Sequence, residues 1–337
     1  MVAVDVMGGD FAPGAILGGA LCAARSGTSV GLFGPQDLIV QYLNKNDENW
    51  SSLPISIFNS TQIIAMGEEP VKAISQKKQS SLVLAVEAVK DKRCCAVVSA
   101  GNSGALMVAA TFILGRKKGI ERPAIAGFLS SMKGSALCLD LGANADCKPS
   151  YLEQFAHLGC EYLIKNHNIK NPKVGLLSNG SEPSKGSKLI KDTYDLLLKS
   201  KLNFIGNLEP KNVFLYKADV IVCDGFSGNI LLKAFECSTS IFKKWFKDDL
   251  DEVNFFSKII IAKWGRRFLT KVFKKSDWAQ KGGALLLGVN GSVVVCHGCS
   301  NALAIENAIK FAQKTSNKED NVFVENNKIS NQLDSQI

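Results

Sequence analysis

The stretch ALCLDLGANADCKPSYLEQFAHLG, residues 136 to 159, passes from an apolar run through a turn of Gly, Asn, Asp and Lys into a run with helical spacing. Leu152, Phe155, Ala156 and Gly159 recur three and four residues apart, the period of one helix face. An apolar strand that turns through a polar loop into an amphipathic helix is half of a βαβ unit. Such strands belong to a mainly parallel sheet covered by helices on both faces.

The same unit recurs along the chain. VAVDV (2–6) leads through MGGDFAPG to AILGGALCAAR, with Pro13 suited to a first helical turn. CCAVVS (94–99) leads through AGNSG to ALMVAATFIL, and KVGLLS (173–178) through NGSEPSKG to SKLIKDTYDLLLKS. DVIVC (219–223) leads through DGFSGN to ILLKAFEC, and SVVVC (292–296) through HGCSN to ALAIENAIKFA. The fold class is therefore α/β. In such sheets ligands bind outside the carboxyl ends of the strands, so the six polar turns are expected along one edge. Each turn feeds a helix N-terminus, where unpaired N–H groups and the dipole favour an anion such as phosphate. A single turn of this kind is also what strand-to-helix geometry requires, so the case for phosphate rests on the six together and on Lys148 and Lys185 inside two of them.

Composition removes several classes. With 337 residues and 46% hydrophobic content the chain can bury a large core. The N-terminus lacks the order of a secretory signal and no apolar run reaches the roughly 18 residues of a membrane span, so a cytoplasmic location is expected. The ten cysteines are scattered, and Cys22, Cys138, Cys223 and Cys237 sit in apolar runs as buried thiols do. CHGC (296–299) has ligand spacing but no second pair, so no metal is expected. The net charge of +9 favours acidic partners. No two glycines are separated by one residue, which excludes the Gly-x-Gly-x-x-Gly dinucleotide fingerprint. The GTSVG match (27–31) follows a helix and precedes a strand, the reverse of a serine-nucleophile elbow. His157 falls in a helical run and His167 in a polar connection, leaving a Ser-His-Asp set without support.

Eight co-linear blocks then carry a resemblance: VDVMGGDFAP, AVVSAGNSGALM, GIERPAIAG, LDLGANADCKPSYLEQFAHLG, VGLLSNGSEPSKG, FIGNLE, ADVIVCDGFSGNILLKAFE and GALLLGVNGSVVVCHGCSNALAIENAI. In that order, from Val2 to about Phe311, the chain resembles the bacterial phosphate acyltransferase family, the acyl-carrier-protein:phosphate transacylases of phospholipid synthesis. The resemblance implies transfer of a fatty acyl group from acyl carrier protein to inorganic phosphate, giving an acyl phosphate for a membrane glycerol-3-phosphate acyltransferase. It implies a fold akin to isocitrate and isopropylmalate dehydrogenases and phosphotransacetylases, a homodimer, and no cofactor, nucleotide or metal. Phe11 stands where many members carry His, and NGSEPSKG departs from the usual run around Ser178 and Ser181, although Lys185 and Gly186 persist.

Orthophosphate is itself a nucleophile, so direct attack on a thioester needs position, charge neutralisation and donors for the developing oxyanion. The candidate catalytic residues are Lys185, Asp224 and Asn144. Lys185 is either the cation on phosphate or a solvated lysine at a helix start. Asn144, Asn102 with Ser103, and Asn229 are donors or helix caps, and Asp5 and Asp224 orient Lys185 or a loop amide, or cap. Gly8, Gly9, Asp10, Gly142, Lys148, Ser227, Gly228 and His297 complete the expected substrate-binding set, His297 being otherwise a core histidine.

Residues 254–276 carry seven basic side chains, no acidic one, and a dense set of apolar groups. Phe256, Ile260, Trp264, Arg267 and Phe268 are the expected surface of a helical protrusion at about 240–282, resting either on an anionic membrane or on a second subunit. Residues 1–315 are read as one catalytic domain and 316–337 as a flexible polar tail. Two other readings exist: a nicotinamide-dependent dehydrogenase on the related fold, for which no arginine–aspartate set is found, and a nucleic-acid or membrane binder, suggested only by charge. Nucleic acid is not an expected partner, because the interleaved aliphatics suit lipid better.

Overall fold

The computed structural model describes residues 1–131, 133–252 and 282–316. Where a single domain is expected over 1–315, the chain divides into two compact units. Unit 1 comprises Met1–Ala126, Cys160–Asn171 and Lys281–Ile337, and unit 2 comprises Gly127–Gly159 and Pro172–Gln280.

In unit 1, β1 (Val2–Asp5) is followed by α1 (Gly14–Arg25), β2 (Val30–Gly34), α2 (Gln36–Asn46) and β3 (Ile55–Asn59). Then come α3 (Pro70–Gln76), α4 (Ser81–Lys90), β4 (Ala96–Ser99) and α5 (Ser103–Ala109), which a π turn extends over Ala110–Leu114. Strand β5 (Ala124–Ser130) starts in unit 1 and runs on into unit 2. The chain returns through β10 (Ala284–Leu287), β11 (Ser292–Val295) and a helix at 302–316. The strand order is β3-β2-β1-β4-β11-β10-β5. It is parallel except for β10, which runs antiparallel to β11 and β5. Strands β1, β2 and β4 are buried at every position, so both sheet faces are covered, as uninterrupted apolar strands require. Leu17, Leu32, Phe33, Ile39 and Leu106 form the fully buried core. Phe33 stacks on Phe58 at 4.6 Å. Each such side chain contributes about 1.5–3 kcal/mol through removal from water.

Unit 2 contains β6 (Ser135–Leu139), the start of α6 (Pro149–His167), β7 (Lys173–Leu177) and α7 (Lys188–Lys199). Strand β8 (Asn203–Leu208), α8 (Pro210–Phe214), β9 (Val220–Val222) and α9 (Gly225–Glu252) follow. Its strands run parallel in the order β6-β9-β7-β8. Leu137, Leu139, Leu152, Phe155 and Leu176 are fully buried, so the face read from Leu152, Phe155 and Ala156 is the core face of α6.

The turns end in the caps that their composition suggests: Ser80 accepts from Val83 N, Asn102 from Ala105 N and Ser187 from Ile190 N. Three smaller expectations change. His167 is the last residue of α6 rather than part of a connection, Cys237 is exposed on α9 rather than buried, and Cys22 is half-buried. All ten cysteines are free thiols, and no metal-holding cluster occurs among the described residues. Nor is any described helix long and apolar enough to cross a membrane. Phe256, Ile260, Trp264, Arg267 and Phe268, the rest of the protrusion beyond Glu252, and the tail from 317 lie outside the described residues.

Candidate active site

Unit 1 builds its turns around Asp5, the last residue of β1, which is 3% exposed. Its carboxylate accepts from Ser81 Oγ at 2.6 Å and from Ser99 Oγ at 2.7 Å, tying β1 to the start of α4 and the end of β4. Ser99 Oγ in turn accepts from Gly101 N at 3.1 Å. Burial pushes the Asp5 carboxyl above its ordinary value, and the two serines and Met7 N–H pull partly the other way. Gly8 lies against this carboxylate and the Gly101 backbone, and Gly9 faces the carbonyl of Gly298. Asp10 N donates to that carbonyl at 2.8 Å, while the Asp10 side chain is exposed.

Asn102 is a strut. Its Oδ1 caps α5, and its Nδ2 donates to the carbonyls of Met66 and Glu68 at 3.0 and 2.9 Å. With both amide hydrogens and the oxygen engaged, it fixes the turn but offers nothing outward. Ser103, the next residue, is exposed. His297 is half-buried, its Nδ1 3.0 Å from Cys299 Sγ.

Unit 2 repeats the plan around Asp140, which follows β6 and is 0% exposed. Oδ1 accepts from Gly142 N and Ala143 N at 3.2 and 3.0 Å, and Oδ2 from Asn144 N and Asn144 Nδ2 at 2.7 and 2.8 Å. The amides expected to face an anion therefore converge on a buried carboxylate. Asn144 is buried, and its carbonyl accepts from Gly225 N at 2.7 Å, joining this turn to the start of α9. Gly142 adopts φ +135°, a conformation that L side chains rarely take, and so lets the turn fold back on Asp140. Asp140 was not among the expected site residues; its signal is an aspartate two residues before a glycine at a strand end, the pattern of an Asx turn.

Asp224 accepts from Ser227 N and Ser227 Oγ, both at 2.8 Å, so its carboxylate and the Ser227 hydroxyl are spent on the first turn of α9. Gly228 lies so near the Asp140 carbonyl that a Cβ would stand 1.9 Å from it. Asn229 is exposed, its side chain beside Gly142. Lys148 is exposed, with Nζ 5.9 Å from the Tyr151 ring centroid. Lys185 is exposed in the turn before α7; its stem packs against Gly180 and its backbone N–H bonds to Glu182 O. An open depression of about 560 Å³ is lined by Cys147, Leu189, Asp224, Phe226 and Ser227, among others.

The expected residues thus sort by function within their turns. Asn102, Asn144, Asp224 and Ser227 are consumed in holding the backbone. Of the expected residues that the structure describes, Asp10, Ser103, Lys148, Lys185 and Asn229 keep polar side-chain groups without a hydrogen bond or ion pair. Three thiols of these turns are poor nucleophiles at neutral pH: burial raises Cys147 and Cys296 to about 12, and Cys223 is raised by its contact with Cys138 and by burial.

Known proteins resemble the chain in sequence and in fold. Residues 1–322 match the family described as "Fatty acid synthesis protein". The chain is 43% identical over 320 residues to a phosphate acyltransferase of Trichlorobacter lovleyi, covering 92% of this chain and 89% of that protein. It is 42% identical over 315 residues to one of Desulforamulus reducens, covering 93% of each. Among solved structures it is similar to a phosphotransacetylase from Streptococcus pyogenes, with TM-score 0.58, 17% identity and 93% of each chain covered. It is also similar to 4-hydroxythreonine-4-phosphate dehydrogenase from Klebsiella pneumoniae, with TM-score 0.55, 12% identity, and 94% of this chain and 99% of that one covered. At such identities the structural likeness speaks for the fold alone.

Proposed function

The chain belongs to the fatty acid synthesis protein family, whose curated relatives are phosphate acyltransferases, and from that premise we propose that it moves a fatty acyl group from acyl carrier protein to inorganic phosphate. The observation that carries this reading is the extent of the match, above 40% identity over more than nine-tenths of the chain.

A phosphate oxygen attacks the thioester carbonyl carbon, a C–O bond forms and the carbonyl oxygen becomes an oxyanion. The C–S bond then breaks, the carrier sulfur leaves with its electron pair, and the phosphate proton passes to it. Hydrogen phosphate and acyl thioester thus become acyl phosphate and free carrier thiol. Lys185 neutralises the phosphate charge, and Asn229 donates a hydrogen bond from the helix start; both side chains are exposed and uncommitted, which supports these roles. Asp140, Asn144, Asp224, Ser227 and Gly228 hold the turns that present Asn229, whereas Lys185 stands on the separate turn before α7. Leu189 and Phe226 line the depression beside that turn and offer apolar surface to an acyl chain.

Acyl carrier protein is an acidic partner suited to a chain of charge +9. We assign the chain further a homodimeric state, a cytoplasmic location and a peripheral membrane contact through 254–276, delivering its product to a membrane glycerol-3-phosphate acyltransferase. Liposome flotation tests the contact: a Trp264→Glu, Phe268→Glu variant floats less than the unaltered chain, and equal flotation rejects it.

The reaction is tested with acyl carrier protein thioester and orthophosphate, trapping acyl phosphate with hydroxylamine. Lys185→Ala lowers turnover about a hundredfold or more with the fold intact. Undiminished acyl phosphate formation removes Lys185 from the site, and a stable acyl-enzyme on any residue rejects direct attack.

A further inference from the structure

We propose that Cys299, with His297 as its proton acceptor, is a peroxide-reactive thiol whose oxidation disturbs the turn that holds Gly298 against Asp10. All ten cysteines are described, and only Cys237 and Cys299 are exposed. Cys237 lies along α9, whereas Cys299 Sγ sits 3.0 Å from His297 Nδ1. The same nitrogen is 3.3 Å from the Cys299 backbone N–H. With the Cys299 N–H donating to it, Nδ1 is the accepting nitrogen of the ring, and the thiol lies against that same acceptor. That is the arrangement by which an adjacent histidine activates a sulfur nucleophile. Cys299 also lies just before the helix at 302–316, which Asn301 Oδ1 caps on Ala304 N at 3.0 Å.

The step balances with hydrogen peroxide as oxidant. Sulfur attacks one peroxide oxygen, an S–O bond forms and the O–O bond breaks. The thiol proton, taken up by His297 Nδ1, goes to the leaving hydroxide as water. The sulfur is oxidised by two electrons to a sulfenic acid and the peroxide is reduced. The added oxygen enlarges the group facing Nδ1 in a four-residue turn whose Gly298 carbonyl receives Asp10 N at 2.8 Å. Oxidation therefore reaches the Gly8–Asp10 turn, and the regulatory consequence rests on the acyl-transfer reading above.

The full-length chain is pulsed with limiting iodoacetamide at neutral pH and its cysteines are followed by peptide mass spectrometry. Cys299 is alkylated about tenfold faster than Cys237, and His297→Asn brings the two rates together. Peroxide followed by dimedone labels Cys299. Equal alkylation of Cys237 and Cys299 in the unaltered chain overturns the proposal without relying on any variant, as does an unchanged Cys299 rate in folded His297→Asn. Cys299→Ser retains acyl transfer and resists peroxide; a variant that peroxide still inactivates overturns the regulatory half. An untreated chain that makes no acyl phosphate rejects the acyl-transfer reading instead, while the alkylation rates still decide the thiol.

Discussion

Asp5 in unit 1 and Asp140 in unit 2 stand at the same place, the carboxyl end of a buried strand, yet they draw their partners from opposite distances. Besides the Met7 N–H, Asp5 is held by hydroxyls 76 and 94 residues away, whereas the bonds to Asp140 come from groups two to four residues ahead. The first fastens three elements of a sheet, and the second folds one turn upon itself. The chemistry differs too: a hydroxyl rotates to donate or accept, but a backbone N–H only donates.

That contrast is open to direct attack by substitution. The largest effect is expected at Gly228→Ala, whose Cβ would stand 1.9 Å from the Asp140 carbonyl and 2.8 Å from Cys223 Sγ. Backbone must move, so thermal or urea unfolding should show a loss of at least about 3 kcal/mol, and a wild-type midpoint would show that the turn is pliable. Next is Asp140→Asn. One oxygen keeps two N–H partners, but the new amide group faces Asn144 N and Nδ2, donor against donor, which should lower stability by about 2–3 kcal/mol.

Asp5→Asn is expected to be milder, at about 1 kcal/mol, because Ser81 and Ser99 can turn one hydroxyl to accept while the other donates. Equal losses for Asp5→Asn and Asp140→Asn would break the contrast. The smallest effect is a pH slope. Burial raises the Asp5 carboxyl above its ordinary 3.8, so the folded chain holds that proton more tightly than the unfolded one. Its charge opposes folding at neutral pH, and the opposition fades as pH falls through the raised value, vanishing below 3.8. Relative to Asp5→Asn, the unaltered chain should therefore gain stability on acidification. A flat difference would mean that hydrogen bonds fully offset the burial.

Most of the sheet was readable because its strands are apolar from end to end and its turns are rich in Gly, Asn and Ser. Each of the six strand–turn–helix units is present. Strands β3 and β8 escaped that reading: they alternate or are half-exposed, ISIFN and NFIGNL, and no glycine turn leads from either into a helix of the same pattern. Strands β5 and β10 escaped as well, since neither leads through a polar turn into a helix, and with β10 went its antiparallel direction, of which ALLL carries no mark. For the candidate site, residue types pointed to turns that the structure forms, but not to how their side chains are used. Nothing in the string GANAD reveals that Asn144 faces inward to Asp140, and Asn102 and Asn229 look alike although one is bonded on both sides and the other is exposed. Capping and ligand binding call for the same side chains, so only atomic partners separate them.

The position of β11 also bears on synthesis. Strand β4 lies between β1 and β11, and β11 is made only after the whole of unit 2. While the ribosome produces the intervening residues, the nascent chain carries Ala96–Ser99 with one row of peptide groups unpaired, an invitation to join any stray extended segment. Unit 2 has all its strands beforehand. The emerging polypeptide must therefore guard its oldest sheet until some of its last residues arrive to seal it.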